Sequence, residues 1–82
     1  MEQVVRTPKQ LGAAVRRARK MAGLSQVALS EKVNLRQATV SRLEAGQPVE
    51  LQTLMAALAA LDLELVVQPR SKGRAMDVAD LF

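Results

Sequence analysis

Apolar residues recur every three or four positions in four blocks of this chain, separated by short polar stretches. In the first block Leu11, Val15, Ala18 and Ala22 share one face, and Arg16, Arg17 and Lys20 lie on the other. This spacing predicts a helix from about Pro8 to Ala22. Thr7 is placed as its N-cap, Pro8 suits the first turn, where no N–H is needed, and Gly23 closes it. In the second block Leu29 and Val33 predict a helix over about Gln26–Val33, capped by the Ser25 hydroxyl. Asn34 stands where that helix must stop, and Asn tolerates the left-handed conformation of a residue just past a helix end. Leu35 then anchors a turn. Val40 and Leu43 form the apolar face of a third helix, about Gln37–Ala45, closed by Gly46, and Gln47-Pro48 makes the next turn.

The fourth block, Glu50–Leu61, carries Leu51, Leu54, Met55, Leu58 and Leu61 at heptad-like spacing. Ala56, Ala57, Ala59 and Ala60 make much of its remaining surface small and apolar. Two uses fit such a surface: high helix propensity on a solvated face, or close packing against another helix, in cis or across a dimer. The period then changes. Leu63, Leu65 and Val67 alternate with other positions, as in a half-buried strand, and Pro69 stops the run. A lone strand leaves its backbone groups unpaired. Pairing with the same segment of a second copy would satisfy them, which makes Leu63, Leu65 and Val67 candidate dimer contacts. Pairing in cis with the short β-branched segment Gln3–Arg6 is the alternative. From Arg70 onward the composition turns polar before a final run, AMDVADLF. The organisation expected is one domain over residues 1–69 and a mobile tail over 70–82.

Ser25–Glu44 holds most of the functional information. It reads as two short helices joined by a tight turn, with Arg36, Gln37, Thr39, Ser41 and Arg42 on the second helix away from its apolar face. These side chains carry donors and acceptors suited to base edges and phosphates. From Leu11 to about Leu61 the chain resembles the Xre/phage-repressor-type helix-turn-helix family. The resemblance rests on Gln26 opening the first helix of the motif, on the small Ser30 at the helix crossing and on the buried β-branched Val40. Glu44 at the end of the second helix belongs to the same pattern. Two positions depart from it: Ala is commoner at the Ser30 position, and Asn34 replaces a turn glycine. Within the family, RQATVS followed by a Leu-rich helix and LELVV is similar to the HipB-like antitoxins of bacterial toxin–antitoxin operons.

The resemblance implies a mainly α, four- to five-helix, lambda-repressor-like domain with a short C-terminal strand paired across a homodimer. It implies that Ser25 and Gln26 meet a phosphate at the start of the second helix, and that the first half of the third enters the major groove of a palindromic operator. There Gln37 would pair with adenine, Ala38 or Thr39 would meet a thymine methyl, Ser41 would bond a base or phosphate, and Arg36 and Arg42 would read guanine or hold the backbone. It also implies an ion pair between Arg19 and Glu44, which the helix dipole favours, since a carboxylate at a helix C-terminus calls for a nearby cation. A HipA-like kinase toxin is the implied protein partner. In the final run Met76, Ala79 and Phe82 recur at helical spacing beside Leu81, so Met76, Leu81 and Phe82 are candidate toxin contacts. The alternatives are a stand-alone phage or metabolic regulator, or a protein-binding adaptor.

Composition narrows these options. Eighty-two residues allow one small domain with a tail at most, and 49% apolar content with a single Phe makes a lean core that a second copy would help to stabilise. Residues 1–61 hold nine Lys and Arg against four Asp and Glu, whereas residues 62–82 hold three against four. A basic body suits a phosphate surface, although charge alone suits a solvated helix face equally well. With no Cys there is no disulfide or thiolate metal site, which is compatible with a reducing cytoplasm. No apolar run approaches the roughly 18 residues of a membrane span, and the acidic N-terminus is unlike a signal peptide. No His, no glycine-rich phosphate loop and no buried-looking carboxylate pair argue against an enzyme. Asp77 and Asp80 read as solvated surface, and no cofactor is expected.

Overall fold

A computed structural model of the chain describes residues 3–70. Four helices make up its regular structure: α1 (Pro8–Met21), α2 (Gln26–Lys32), α3 (Gln37–Glu44) and α4 (Leu51–Ala60). The first two are started by side chains. Thr7 Oγ1 accepts from the Gln10 N–H at 3.0 Å, while Gln10 Oε1 reaches back to accept from the Arg6 N–H at 2.7 Å. This exchange satisfies one donor of the first helical turn, the Gln10 N–H, and the N–H of the residue just before the cap. Ser25 Oγ accepts from the Ala28 N–H at 3.0 Å and does the same for α2.

All four described helices stop in the same way. The residue after each C-cap is left-handed: Gly23, Asn34, Gly46 and Asp62, with φ of 74°, 58°, 80° and 60°. The next N–H then turns back to a carbonyl five residues earlier, Leu24 to Arg19, Leu35 to Ser30, Gln47 to Arg42 and Leu63 to Leu58, at 2.8–3.1 Å. The paired inner bonds, such as Asp62 N–H to Ala59 at 3.1 Å, complete a Schellman motif each time. Glycine fits two of these positions without strain. Asp62 does not, and its carboxylate also sits at the negative end of α4. Asp62→Gly should therefore stabilise the domain by about 0.5–1 kcal/mol after the entropy lost by glycine is counted. A urea unfolding midpoint that rises would show it, and an unchanged or lower midpoint would refute it.

α3 packs against both α1 and α2, and α2 also meets α4. Val15, Leu29, Val40 and Ala57 are fully buried, with Leu43 and Leu58 nearly so. Leu11, Val49, Leu54 and Leu61 pack around the cluster of Val15, Leu43, Ala57 and Leu58. The closest approach is made by Gly12, which sits in α1 directly against the last turn of α3. A Cβ on Gly12 would lie 2.5 Å from the carbonyl oxygens of Leu43 and Glu44. Ser30, buried in α2, settles its hydroxyl by donating to the Val27 carbonyl at 2.7 Å.

Several expectations need correction. Ala22 is exposed, whereas Arg19 is buried. On α4 the core face runs through Leu54, Ala57, Leu58 and Leu61, which leaves Leu51 and Met55 at its edge, 69% and 45% exposed. The apolar stripe of α4 is wider than the other described residues cover. One of the four alanines of this helix, Ala57, does pack closely in cis; Ala56 and Ala59 are exposed. No strand occurs among the described residues. Leu63, Leu65, Val66 and Val67 are all exposed, so neither face of the 63–67 segment is half-buried and the cis pairing with Gln3–Arg6 is absent. The physical reason is simple: a strand exists only by pairing, and no described segment offers this one an edge.

Candidate nucleic-acid interface

On α3, Val40 and Leu43 fix the buried side. At 100° per residue the opposite side consists of Gln37, Ala38, Ser41 and Arg42, and all four are exposed. Thr39 falls to the flank and is half-buried. Arg36, the N-cap, is exposed and makes no side-chain cap. Beside it the start of α2 presents Ser25 and Gln26. Ser25 Oγ accepts the capping bond, which stiffens the helix terminus and leaves the hydroxyl proton to donate outward. The first residues of α2 and α3 adjoin, Gln37 Nε2 donating to Gln26 Oε1 at 2.7 Å, beside the exposed polar stripe, and helix N-termini carry the positive end of the helix dipole, which suits an anion.

Beneath this surface lies a connected polar chain. Arg19 Nε donates to Glu44 Oε2 at 2.6 Å and Arg19 Nη2 to Glu44 Oε1 at 3.0 Å, a two-pronged ion pair between α1 and the end of α3. The third prong, Arg19 Nη1, donates to the Leu24 carbonyl at 2.8 Å. The side chains are only 8% and 4% exposed, so this is a buried pair with fork geometry. Burial pushes the Glu44 carboxyl up. The bonds from Arg19 and Gln26, with the charges of Arg19 and Arg16, outweigh it and hold the carboxyl below the ordinary glutamate range. The hydrogen bond to Glu44 raises the Arg19 guanidinium in turn, against the lowering effect of its burial.

The chain continues outward. Gln26 Nε2 donates to Glu44 Oε1 at 3.1 Å, and Gln26 Oε1 accepts from Gln37 Nε2 at 2.7 Å. Arg19, Glu44, Gln26 and Gln37 are therefore linked from the interior to the first residue of α3. Sequence spacing gave no sign of the two glutamine contacts, because they join residues across the turn rather than along one helix.

Arg42 is placed differently from the other polar residues of α3. Its Nη2 donates to the Pro48 carbonyl at 2.8 Å, which ties the guanidinium to the loop after the helix. Gly12 is the residue that sequence reasoning missed. The available signal was a glycine within an otherwise helical pattern, which usually marks a packing constraint. Leu63, Leu65 and Val67 lie exposed in the segment after α4, and Met76, Leu81 and Phe82 fall outside the described residues. No group of three or more metal-ligating side chains occurs among the described residues, and none of their helices is long and apolar enough to cross a membrane.

Comparison with known proteins agrees with this geometry. The model of the helix-turn-helix family HTH_3 matches residues 15–68. No curated protein sequence matches significantly. Among solved structures, a complex of a HipB variant with an O2 20mer is similar at 28% identity and a TM-score of 0.77, covering 84% of this chain and 97% of that one. A HipB–O4 20mer complex follows at 29% identity and a TM-score of 0.76, covering 83% of this chain and 97% of that one. A HipA–HipB–O2–O3 complex shows the same values, 29% identity, a TM-score of 0.76 and coverage of 83% and 97%.

Proposed function

Because the chain belongs to the helix-turn-helix family HTH_3, we propose that it is a dimeric, sequence-specific DNA-binding repressor that also serves as the antitoxin of a HipA-like kinase toxin and autoregulates its operon. The observation that carries the DNA-binding half is the exposed stripe Gln37, Ala38, Ser41 and Arg42 set beside the N-terminus of α2. Gln37 reads adenine in bidentate fashion, Ala38 or Thr39 meets a thymine methyl, and Ser25, Gln26, Arg36 and Ser41 hold backbone or base edges. Arg42 spends one N–H on the Pro48 carbonyl and keeps its remaining donors for guanine or the phosphate backbone.

Dimerisation is supported by what the single chain leaves uncovered. Leu51, Met55, Leu65, Val66 and Val67 are 45–92% exposed, and the 63–67 segment has no ladder partner among the described residues. A second copy antiparallel about a two-fold axis supplies both a partner strand and an apolar cover. Two recognition helices then meet half-sites about 34–36 Å apart on one face of the duplex.

The toxin partnership draws on the likeness to a chain of the HipA–HipB–O2–O3 complex. Its candidate contacts Met76, Leu81 and Phe82 belong to the tail.

Gel-shift titration of duplexes selected by the chain tests the DNA half. Two protomers should bind per duplex, and Gln37→Ala should lower affinity by about 1–3 kcal/mol per half-site while relaxing preference at one position of each. Unchanged affinity and unchanged preference would remove Gln37 from the interface. For the partnership, the full chain should capture a kinase encoded in the adjoining reading frame. Absence of such a gene, or failure of capture, would favour a stand-alone regulator.

A further inference from the structure

We propose that Glu44, which lies beneath the interface and touches no base, selects the base that Gln37 reads, acting through Gln26. The proposal rests on the assignment of Gln37 to the major groove made above. A carboxylate can only accept hydrogen bonds. With two contacts from Arg19 holding it in place, Glu44 compels Gln26 to turn its amide nitrogen inward, at 3.1 Å from Glu44 Oε1. The carbonyl of Gln26 is thereby the end left to face Gln37, and it takes the Gln37 Nε2–H at 2.7 Å. Gln37 then has its own carbonyl and one remaining N–H to offer. One acceptor and one donor match the N6 donor and N7 acceptor of adenine.

The reverse orientation has a different outcome. A Gln26 turned end for end would set its carbonyl against the Glu44 carboxylate, an oxygen–oxygen contact with no proton between. It would donate to the Gln37 carbonyl and leave the Gln37 amide group with two free N–H donors. Two donors match the N7 and O6 acceptors of guanine. The acceptor-only chemistry of Glu44 excludes this state. Glu44 is thus a positioning residue, and its influence travels through two amides whose orientations are coupled.

A carboxamide at position 44 reverses the logic. In Glu44→Gln the new side chain keeps its oxygen at the Oε2 position, on the shorter Arg19 Nε contact of 2.6 Å, and its nitrogen takes the Oε1 position, where it faces Gln26 and gives up the Arg19 Nη2 contact of 3.0 Å. Gln26 then turns its carbonyl inward, and Gln37 is left with donors. Glu44→Asp keeps an acceptor-only group. Gln26→Leu removes the relay while leaving the ion pair in place.

The test uses the full chain and duplexes selected by the wild-type protein from a pool randomised at its centre. The position read by Gln37 is located as the one whose preference Gln37→Ala abolishes. Matched duplexes with adenine or guanine there are then competed against each other, with variants held at a temperature where circular dichroism shows them folded. Wild type should favour adenine about tenfold or more. Glu44→Asp should keep that ratio even if overall affinity falls. Glu44→Gln should reverse it or bring it near one, and Gln26→Leu should bring it near one. A purely structural ion pair would change affinity for both duplexes alike and leave the ratio fixed.

If wild type shows no adenine preference, the reading of adenine by Gln37 fails and the relay fails with it. If wild type favours adenine and Glu44→Gln and Gln26→Leu keep the full ratio, the relay alone is overturned. Should Glu44→Gln not fold, Gln26→Leu decides the matter, since it leaves Arg19 and Glu44 bonded.

Discussion

Gly12→Ala should lower the melting temperature of the domain by about 10 °C, although alanine is the best helix former and Gly12 lies within a helix. On an exposed helix face the exchange would gain about 1 kcal/mol. Here the added Cβ meets the carbonyl oxygens of Leu43 and Glu44 at 2.5 Å and the Glu44 carbonyl carbon at 2.7 Å. These are backbone atoms of the last turn of α3, so no side chain can rotate out of the way. Overpacking costs about 1–3 kcal/mol, and an immovable backbone clash belongs at the upper end, about 3 kcal/mol, so that less the helix gain the net loss is about 2 kcal/mol. At about 4–8 °C per kcal/mol for a domain of this size, that gives the stated shift. Moving α1 off α3 also draws Arg19 away from Glu44, because both contacts bridge the same two helices. Gly12→Val should not fold at 37 °C. Thermal unfolding followed by circular dichroism decides this, and a Gly12→Ala protein as stable as wild type would show that the two helices can separate at no cost.

The second large effect belongs to the Arg19–Glu44 pair. Arg19→Met should cost about 3–5 kcal/mol, because it leaves a buried carboxylate without its cation. Glu44→Leu should cost less, since Arg19 keeps its bond to the Leu24 carbonyl and its long side chain can carry the charge toward water. The double substitution should be more stable than Arg19→Met alone, because no charge remains buried. Urea unfolding of the four proteins forms a double-mutant cycle, and additive losses would mean that the pair is energetically independent. Acid supplies a second measure. The Glu44 carboxyl titrates lower in the folded protein than in the unfolded chain, so its contribution is complete above the ordinary glutamate value and is lost as pH falls through the depressed folded value. Arg19→Met should flatten that part of the acid limb.

Helix boundaries were the most legible part of this sequence, because the signals that stop and start helices are local. Thr7-Pro8, Ser25, Asn34 and Gly46 each act within a few residues of themselves, and the structure uses all four. The face of α4 was legible in direction but not in breadth. Leu51 and Met55 fall on the apolar stripe, yet whether an apolar residue is covered depends on what lies opposite, which periodicity does not report. The strand was illegible for a related reason. Alternation at Leu63, Leu65 and Val67 states a preference for pairing, and no described segment of the chain supplies a partner. The relay from Glu44 to Gln37 depends on amide orientation across a turn, and Gly12 on the distance between two helix backbones. Neither quantity is encoded in the spacing of residue types.

The shared form of the helix endings bears on how quickly the chain reaches its fold. Each Schellman ending closes its bonds over a span of six residues, so every reversal of direction is decided before distant segments meet. Little loop-closure entropy stands between the unfolded chain and four correctly terminated helices. Low contact order of this kind goes with folding in microseconds to milliseconds. What remains is a docking step, in which α1 must find the last turn of α3 closely enough to bring its glycine against bare backbone. In kinetic terms, substitutions at Asn34 and Asp62 alter how often a ready-made helix pair is available, whereas a side chain at Gly12 alters how long the docked state survives.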